Sequence, residues 1–343
     1  MKMLWLGFAR WWRTHVTLRV FGLLLLAQAV SAVMAIMSLT SSLIADLGVN
    51  APLFQSMFNY LSLGLVYGSI LICRRQKPLI PWYWYLLLGF VDVQGNYLVN
   101  EAYQYSSITS VTLLDCWTIP WAMILTWFII GTRYSIGQYV GAVLCVIGLG
   151  LVLLSDAGIA GGGGTKPILG DILVIGGTFF YAMSNVGEEF CVKKKDRVEV
   201  VAMIGVYGFL VTVVEGSITE LKTVESIKWS TDLVLSLVGY TASSFLFYTL
   251  APFVLKLSGA ALFNLSLLTS DMWAVVFKIY LYHQEVDWLY FLSFAIVVIG
   301  LVIYSTTEKE PVAASTIENG NVEAEYQVLN DESAESRNES LGR

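Results

Sequence analysis

The stretch that decides the fold is residues 136–154, IGQYVGAVLCVIGLGLVLL, which contains no charged side chain. At about 1.5 Å per helical residue, it is long enough to cross a hydrocarbon core about 30 Å thick. A transmembrane helix is therefore predicted here. Four of its residues, VIGL at 146–149, recur 152 positions later as VIGL at 298–301.

Apolar stretches of similar length occur along the whole chain, in which 56% of residues are hydrophobic and 13% are charged. Soluble domains carry about twice that charged fraction, so the composition excludes an ordinary soluble protein. We expect an all-α membrane protein with ten transmembrane helices. The predicted helices lie at residues 20–40, 51–72, 84–103, 108–129, 136–154, 170–191, 198–218, 231–254, 260–282 and 287–305.

The shift of 152 residues also aligns Ser106 with Ser258 and Trp121 with Trp273. One shift that relates the fourth helix to the ninth, and the fifth to the tenth, predicts two related halves of five helices. Because five is odd, the second half must be inverted in the membrane relative to the first, as in many transporters. The predicted repeats are residues 20–156 and 170–305, joined by a Gly-rich, non-cytosolic linker at 157–169.

Lys and Arg predict the orientation, because they accumulate in the cytosolic loops of membrane proteins. With a cytosolic N-terminus, the cytosolic loops carry thirteen Lys and Arg and the opposite loops carry three. Both termini are therefore expected in the cytosol, as a basic segment at 1–19 and an acidic, disordered tail at 306–343. The tail has nine acidic and three basic residues after Thr306, which accounts for the whole net charge of −6. No basic surface suggests a nucleic-acid partner.

Polar residues mark the third predicted helix as one that avoids lipid. Asp92, Asn96 and Asn100 are spaced four residues apart and share one face, and Tyr97 belongs to a neighbouring polar stripe. We expect this helix to line a solute site. The alternative is that these side chains only form hydrogen bonds that hold helices together.

The fourth and ninth predicted helices carry ionisable residues that suit a gate or a proton-binding site. Asp115 follows Thr112 on one face of the fourth helix, and Pro120 removes a backbone hydrogen bond near the middle of it. In the ninth helix, Asn264 and Asp271 are seven residues apart and share a face. The alternative for Asp115 is a structural bond to a neighbouring helix.

A stripe of Tyr240, Ser244 and Tyr248 in the eighth predicted helix is consistent with a cavity wall on which a flat ring could stack. Ordinary aromatic packing is the equal alternative. In the sixth predicted helix, Glu188 and Glu189 are interpreted mainly as partners of the adjacent Lys193–Lys195 run, with a role in transport as the alternative.

Three segments carry a family resemblance. Residues 92–99 (DVQGNYLV), 109–116 (TSVTLLDC) and 264–269 (NLSLLT) resemble signature sequences of solute carrier family 35, subfamily F. The resemblance extends from about residue 20 to 306. It implies the drug/metabolite transporter fold, with two inverted five-helix repeats around a central solute cavity, and it does not define a substrate.

The charge inventory predicts the class of solute. The predicted helices contain the carboxylates Asp92, Glu101, Asp115 and Asp271, whereas a nucleotide sugar would require Arg or Lys clamps for its diphosphate. We therefore expect a secondary carrier for a neutral or cationic organic solute, such as a nucleoside- or nucleobase-like ring, with proton coupling through Asp115 or Asp271. The alternatives are a nucleotide-sugar exchanger of the secretory pathway and a membrane scaffold or receptor without transport.

An enzyme is not expected, because the two histidines are isolated and the four cysteines lack paired spacing. The same observation predicts no metal site, and no cofactor is expected. The expected partners are the small-molecule solute and the lipid bilayer. Small-residue pairs of the kind that allow membrane helices to pack closely are interpreted as contacts within the chain, with a homodimer as the alternative. The pairs are Gly64/Gly68 and Gly137/Gly141.

Overall fold

The computed structural model of the protein describes residues 18–75, 81–102, 105–106, 111, 114–157, 167–194, 196–270, 272–273, 276–277 and 288–307. Within these ranges, all regular secondary structure is helical. Nearly all of the tail predicted at 306–343, nearly all of the basic segment predicted at 1–19 and most of the linker predicted at 157–169 lie outside the described residues.

The helices of the described residues are labelled in chain order, and the five-residue helix Leu221–Glu225 between α7 and α8 is left without a label. α4 continues from its last α-helical residue into a π-helical turn, Thr126–Ile130. The bounds are α1 Leu18–Asp46, α2 Pro52–Cys73, α3 Trp82–Ala102, α4 Thr118–Leu125, α5 Ile136–Ala157, α6 Pro167–Lys194, α7 Arg197–Thr219, α8 Thr231–Ser258, α9 Ala260–Leu267 and α10 Trp288–Thr306.

Five helices in the described part of the chain are long and apolar enough to cross a membrane, namely α1, α2, α6, α7 and α8. α4, α5 and α10 contain shorter apolar helical stretches. Large apolar side chains point outward, as Ile72, Phe128 and Ile136 do with 78, 80 and 82% exposure. Apolar surface on that scale is typical of contact with a membrane or a partner. Together with the five long apolar helices, it indicates a multi-pass membrane protein whose described part is helical.

Glycines let the central helices approach closely, as small residues do where membrane helices pack. α2 and α7 run antiparallel, with Gly205 against Gly64 and Gly208 against the ring of Tyr60. α3 and α6 are also antiparallel, with Gly95 against the ring of Tyr181. These contacts bring polar side chains of α2, α3 and α6 to one level of the bundle.

α5 and α10 form a second close antiparallel pair. A Cβ atom on Gly148 would lie 2.6 Å from a side-chain carbon of Val297, and one on Gly300 would lie 2.7 Å from the sulfur of Cys145. The Cys145 thiol contacts the backbone oxygen of Val297 at 3.6 Å. Of the glycines in the predicted small-residue pairs, Gly64, Gly137 and Gly141 pack within the chain. A Cβ atom added at Gly68 would meet no other part of the described structure within 4 Å.

The fourth and ninth predicted helices are interrupted. The first has a turn at residues 116–117, immediately before α4, and the second has a turn at residue 268, immediately after α9. Residues 116 and 268 are 152 positions apart. Pro120, predicted to kink a continuous helix near its middle, instead lies in the first turn of α4, where its missing N–H removes no intrahelical bond.

The α2–α7 pair is also fixed at one end by Glu220, which follows α7. Its Oε1 and Oε2 accept hydrogen bonds from the backbone N–H groups of Leu53 and Phe54, both at 2.9 Å. These donors belong to the first turn of α2, where backbone N–H groups have no intrahelical partner. Burial raises the pKa of the Glu220 carboxyl, although the two backbone hydrogen bonds oppose this effect.

Candidate functional site

A buried carboxylate, Asp92 on α3, lies where α2, α3, α6 and α8 meet, and it is 7% exposed. Its Oδ2 accepts hydrogen bonds from the hydroxyls of Tyr60 on α2 at 2.6 Å and Tyr248 on α8 at 2.7 Å. Its Oδ1 accepts a hydrogen bond from Ser184 on α6 at 2.7 Å. Distances this short are typical of hydroxyl donors to an ionised carboxylate. Three helices therefore supply donors to one acidic side chain.

Asn96, one turn after Asp92 on α3, extends this arrangement. Its Nδ2 lies 3.3 Å from the hydroxyl of Tyr60 and 3.4 Å from that of Tyr248. The hydroxyl of Tyr181 on α6 donates to Asn96 Oδ1 at 3.0 Å. We call the six residues the Asp92 cluster; they are Asp92, Asn96, Tyr60, Tyr181, Ser184 and Tyr248.

Three of the predicted solute-binding residues, Asp92, Asn96 and Tyr248, thus come together. Two others on α3 do not join them. The side-chain amide of Asn100 donates to the backbone oxygen of Asn96 at 2.7 Å, and Tyr97 is partly buried against the apolar core.

The remaining α8 residues lie one and two turns from Tyr248. Ser244 is fully buried, and its hydroxyl has no hydrogen-bond partner among the described residues. Tyr240 packs against an apolar group that includes Leu237 and Ile44. Ser244 lies between Tyr240 and the cluster along α8, and a role of either side chain in solute binding stays a prediction.

Asn264 on α9 contacts α6 rather than the cluster. Its Oδ1 accepts a hydrogen bond from Asn185 at 2.7 Å. One turn further along α6, Glu189 forms an ion pair with Lys193 and accepts a hydrogen bond from the backbone N–H of Ala260 at 2.6 Å. The contacts of Glu189 are those of a structural residue, in line with the interpretation that it partners the Lys run.

Asp115 lies immediately before the break in the fourth predicted helix. Its Oδ1 is buried and has no partner within the described ranges, and the same is true of the indole N–H of Trp121. Its backbone oxygen accepts a hydrogen bond from Thr118 at 2.7 Å. Thr112 and Asp271, the other predicted residues of these two helices, lie outside the described residues.

Tyr60, Tyr181 and Ser184 were not among the predicted site residues. The available signal was weak. Tyr60 follows Asn59 and lies four residues after Ser56, so that α2 carries a polar stripe. The pairing of that stripe with Asp92 requires the α2–α3–α8 arrangement, which no local pattern specifies.

The Asp92 cluster can hold a cation or a hydrogen-bond donor. It presents a carboxylate, one amide, one aliphatic hydroxyl and three phenols. The ion pairs seen in the described ranges, Arg74–Asp196 and Lys193–Glu189, do not involve it. Among the described residues, no group of three or more His, Cys, Asp and Glu side chains could hold a metal ion. The arrangement thus suits recognition of a polar organic molecule.

Comparisons with known proteins agree with this description. Residues 16–306 match the family model SLC35F, solute carrier family 35. Solute carrier family 35 member F2 from Mus musculus is 36% identical over 291 residues, 82% of this chain and 78% of that protein. The Xenopus tropicalis protein of the same name is 35% identical over 295 residues, 82% of this chain and 75% of that protein.

One crystal structure, 16% identical in sequence, superposes with a TM-score of 0.67 over 83% of this chain and 98% of that chain. At this identity the likeness concerns the fold alone. The family match covers most of the chain, and the two relatives share more than a third of its aligned residues. The chain therefore belongs to the SLC35F group of solute carrier family 35, whose members are membrane transporters of solutes rather than enzymes.

Proposed function

We propose that the protein is a secondary carrier that moves a small organic solute, cationic or neutral, across the bilayer by alternating access, with Asp92 at the solute site. The observation that carries the proposal is a buried carboxylate whose partners, among the described residues, are hydroxyl groups from three other helices. A charged side chain at this depth is costly and usually serves a pathway or a partner. A cation, or a ring with N–H donors, complements this charge.

Two inverted five-helix repeats are part of the proposal, and the α5–α10 contacts support them. Gly148 packs against Val297 and Ser293, and Gly300 packs against Cys145 and Gly141. Adding 152 to Cys145 and Gly141, the partners of Gly300, gives the numbers of Val297 and Ser293, the partners of Gly148. The paired breaks at residues 116 and 268 have the same offset, and interrupted helices at matching positions of two halves are typical of transporter binding sites.

The helix contacts suggest what would move. α3 packs against α6 and α7, and α8 packs against α1 and α2. Adding five to each helix number of the first set, and counting on from α10 to α1, gives the second set. We assign α3, α4, α6 and α7 to one group and α1, α2, α8 and α9 to its inverted counterpart. Asp92 belongs to the first group, and its donors Tyr60 and Tyr248 belong to the second. Rocking of one group against the other would therefore make and break these bonds.

The proposal includes cytosolic termini, because of the bias of Lys and Arg in the loops. It keeps Asp115 and Asp271 as coupling groups and Pro120 as part of a gate. The unpartnered Oδ1 of Asp115, next to a helix break, supports a gating role, since a buried acceptor without a donor costs about 1–3 kcal/mol. The solute and the lipid are its proposed partners.

Untargeted metabolite profiling of sealed membrane vesicles, with and without the protein, tests the function. We expect at least one organic cation or neutral ring compound to accumulate with the wild-type protein and not with Asp92→Asn. Asp232→Asn is the matched control, because Asp232 is exposed in the first turn of α8. Accumulation of a nucleotide sugar, or unchanged accumulation in the Asp92 variant, would refute the proposal.

A further inference from the structure

Glu188 on α6 is a second buried carboxyl close to the cluster. It is 4% exposed, and its Oε1 has no hydrogen-bond partner among the described residues. It lies four residues, one helical turn, after Ser184, whose hydroxyl binds Asp92, so both side chains share a face of α6.

The described cations near Glu188 have other partners. Lys193 forms its ion pair with Glu189, and Lys194 lies over the ring of Phe190 at 3.9 Å. Arg197 lies over the ring of Phe253 at 3.7 Å. Neither of the ion pairs within the described ranges involves Glu188.

Other titratable groups on the surrounding helices add no positive charge. The hydroxyl of Tyr85 on α3 donates to Glu199 on α7 at 2.8 Å, and Cys191 on α6 is a buried free cysteine. On α8, Tyr248 is committed to Asp92, and α9 contains no titratable residue, as is true of α4. Glu188 therefore lies among acidic and neutral groups.

The two carboxyls differ in how their charge is compensated. Asp92 accepts three hydroxyl hydrogen bonds, which stabilise its ionised form. Glu188 has no such donor at Oε1, and a buried, unpaired charge costs several kcal/mol. We propose that Glu188 is a proton-binding site, and that the Asp92–Glu188 pair holds one proton, carried by Glu188, in this conformation.

A consequence for transport, which rests on the proposed function, is exchange of a proton for a cationic solute. The negative charge of Asp92 favours a proton on Glu188. A cation bound at Asp92 cancels that charge and therefore promotes release of the proton. Solute and proton then compete for one pair of carboxyls, so that one drives the other in the opposite direction.

Infrared spectroscopy of the lipid-reconstituted, full-length protein tests the proton site without any solute. We expect a protonated-carboxyl C=O component at neutral pH that Glu188→Gln removes and Asp232→Asn, which alters an exposed carboxyl in the first turn of α8, preserves. Glu188→Asp should retain a band, and Asp92→Asn should shift its titration midpoint to lower pH by about one unit. A band that persists unchanged in Glu188→Gln would overturn the assignment.

A second measurement needs no substitution. Dicyclohexylcarbodiimide reacts with protonated carboxyls and not with ionised ones, so mass spectrometry of the labelled wild-type protein should find the modification at Glu188. Label confined to other carboxyls, or no label, would contradict the proposal. Failure of the proposed function is a separate result: the band and the label would remain, while no cation accumulates in vesicles.

Discussion

Alanine in place of Gly208 is expected to disturb the Asp92 cluster from a helix that contributes no side chain to it. A Cβ atom at this position of α7 would lie 2.6 Å from Cδ1 of Tyr60, 2.9 Å from Cε1 and 3.0 Å from Cγ. Carbon atoms in contact normally lie about 3.5–4.0 Å apart. The ring of Tyr60 must therefore move, yet it is fully buried and its hydroxyl is bound to Asp92 at 2.6 Å.

The cost follows from these contacts. Overpacking of a well-filled interior costs about 1–3 kcal/mol, and loss of a hydrogen bond to a charged group costs about 1.5–3 kcal/mol. The better helix propensity of Ala returns about 0.5–1 kcal/mol. We expect a net loss of about 2–5 kcal/mol in the free energy of unfolding. At about 2 °C for each kcal/mol, Tm should fall by about 4–10 °C.

The assay is thermal unfolding in detergent, together with vesicle uptake normalised to the amount of protein. Gly216→Ala is the matched control, because Gly216 also lies on α7 facing α2, but its Cβ would meet Leu53 at an ordinary 3.6 Å. That variant should keep or slightly raise Tm and should transport normally. Equal behaviour of the two variants, or a wild-type Tm for Gly208→Ala, would refute the reasoning.

Three further predictions concern Tyr60, Glu220 and Gly300. Tyr60→Phe should reduce the free energy of unfolding by about 1.5–3 kcal/mol and impair uptake. The control, Tyr67→Phe, loses only a neutral hydroxyl bond at 3.0 Å and should cost about 0.5–1.5 kcal/mol. Equal losses in unfolding assays would argue against an ionised Asp92. The pKa of the Glu220 carboxyl is raised in the folded protein. Its contribution to the free energy of unfolding is therefore greatest below the unfolded-state pKa and is lost as the pH rises through the folded-state pKa. Tm should rise on acidification, and a pH series of Glu220→Gln should show a weaker rise. Gly300→Ala should separate α5 from α10, since its Cβ would meet a backbone oxygen at 2.8 Å; a Tm equal to that of the wild type would show that this contact is not tight.

The candidate site could be predicted in part. Asp92 and Asn96 were found because polar residues at helical spacing in an apolar segment are conspicuous, and Tyr248 because it continues a stripe on α8. Tyr60 escaped prediction, since one tyrosine in an apolar helix is ordinary until a carboxylate is found opposite it. The paired helix breaks escaped for a similar reason. The sequence predicted that Pro120 interrupts one helix, but the turn lies ahead of it, at residues 116–117.

The sequence by itself determined that this chain is helical and embedded in a membrane, because the length and polarity of each segment depend only on neighbouring residues and on the thickness of the bilayer. It also carried matching residues at a shift of 152 positions, such as VIGL at 146–149 and at 298–301. Which polar groups share a hydrogen bond depends on the tertiary structure alone. Asp92, Ser184 and Tyr248 lie on three helices far apart in the chain, and their contact depends on how glycine-lined surfaces pack, which no local pattern encodes.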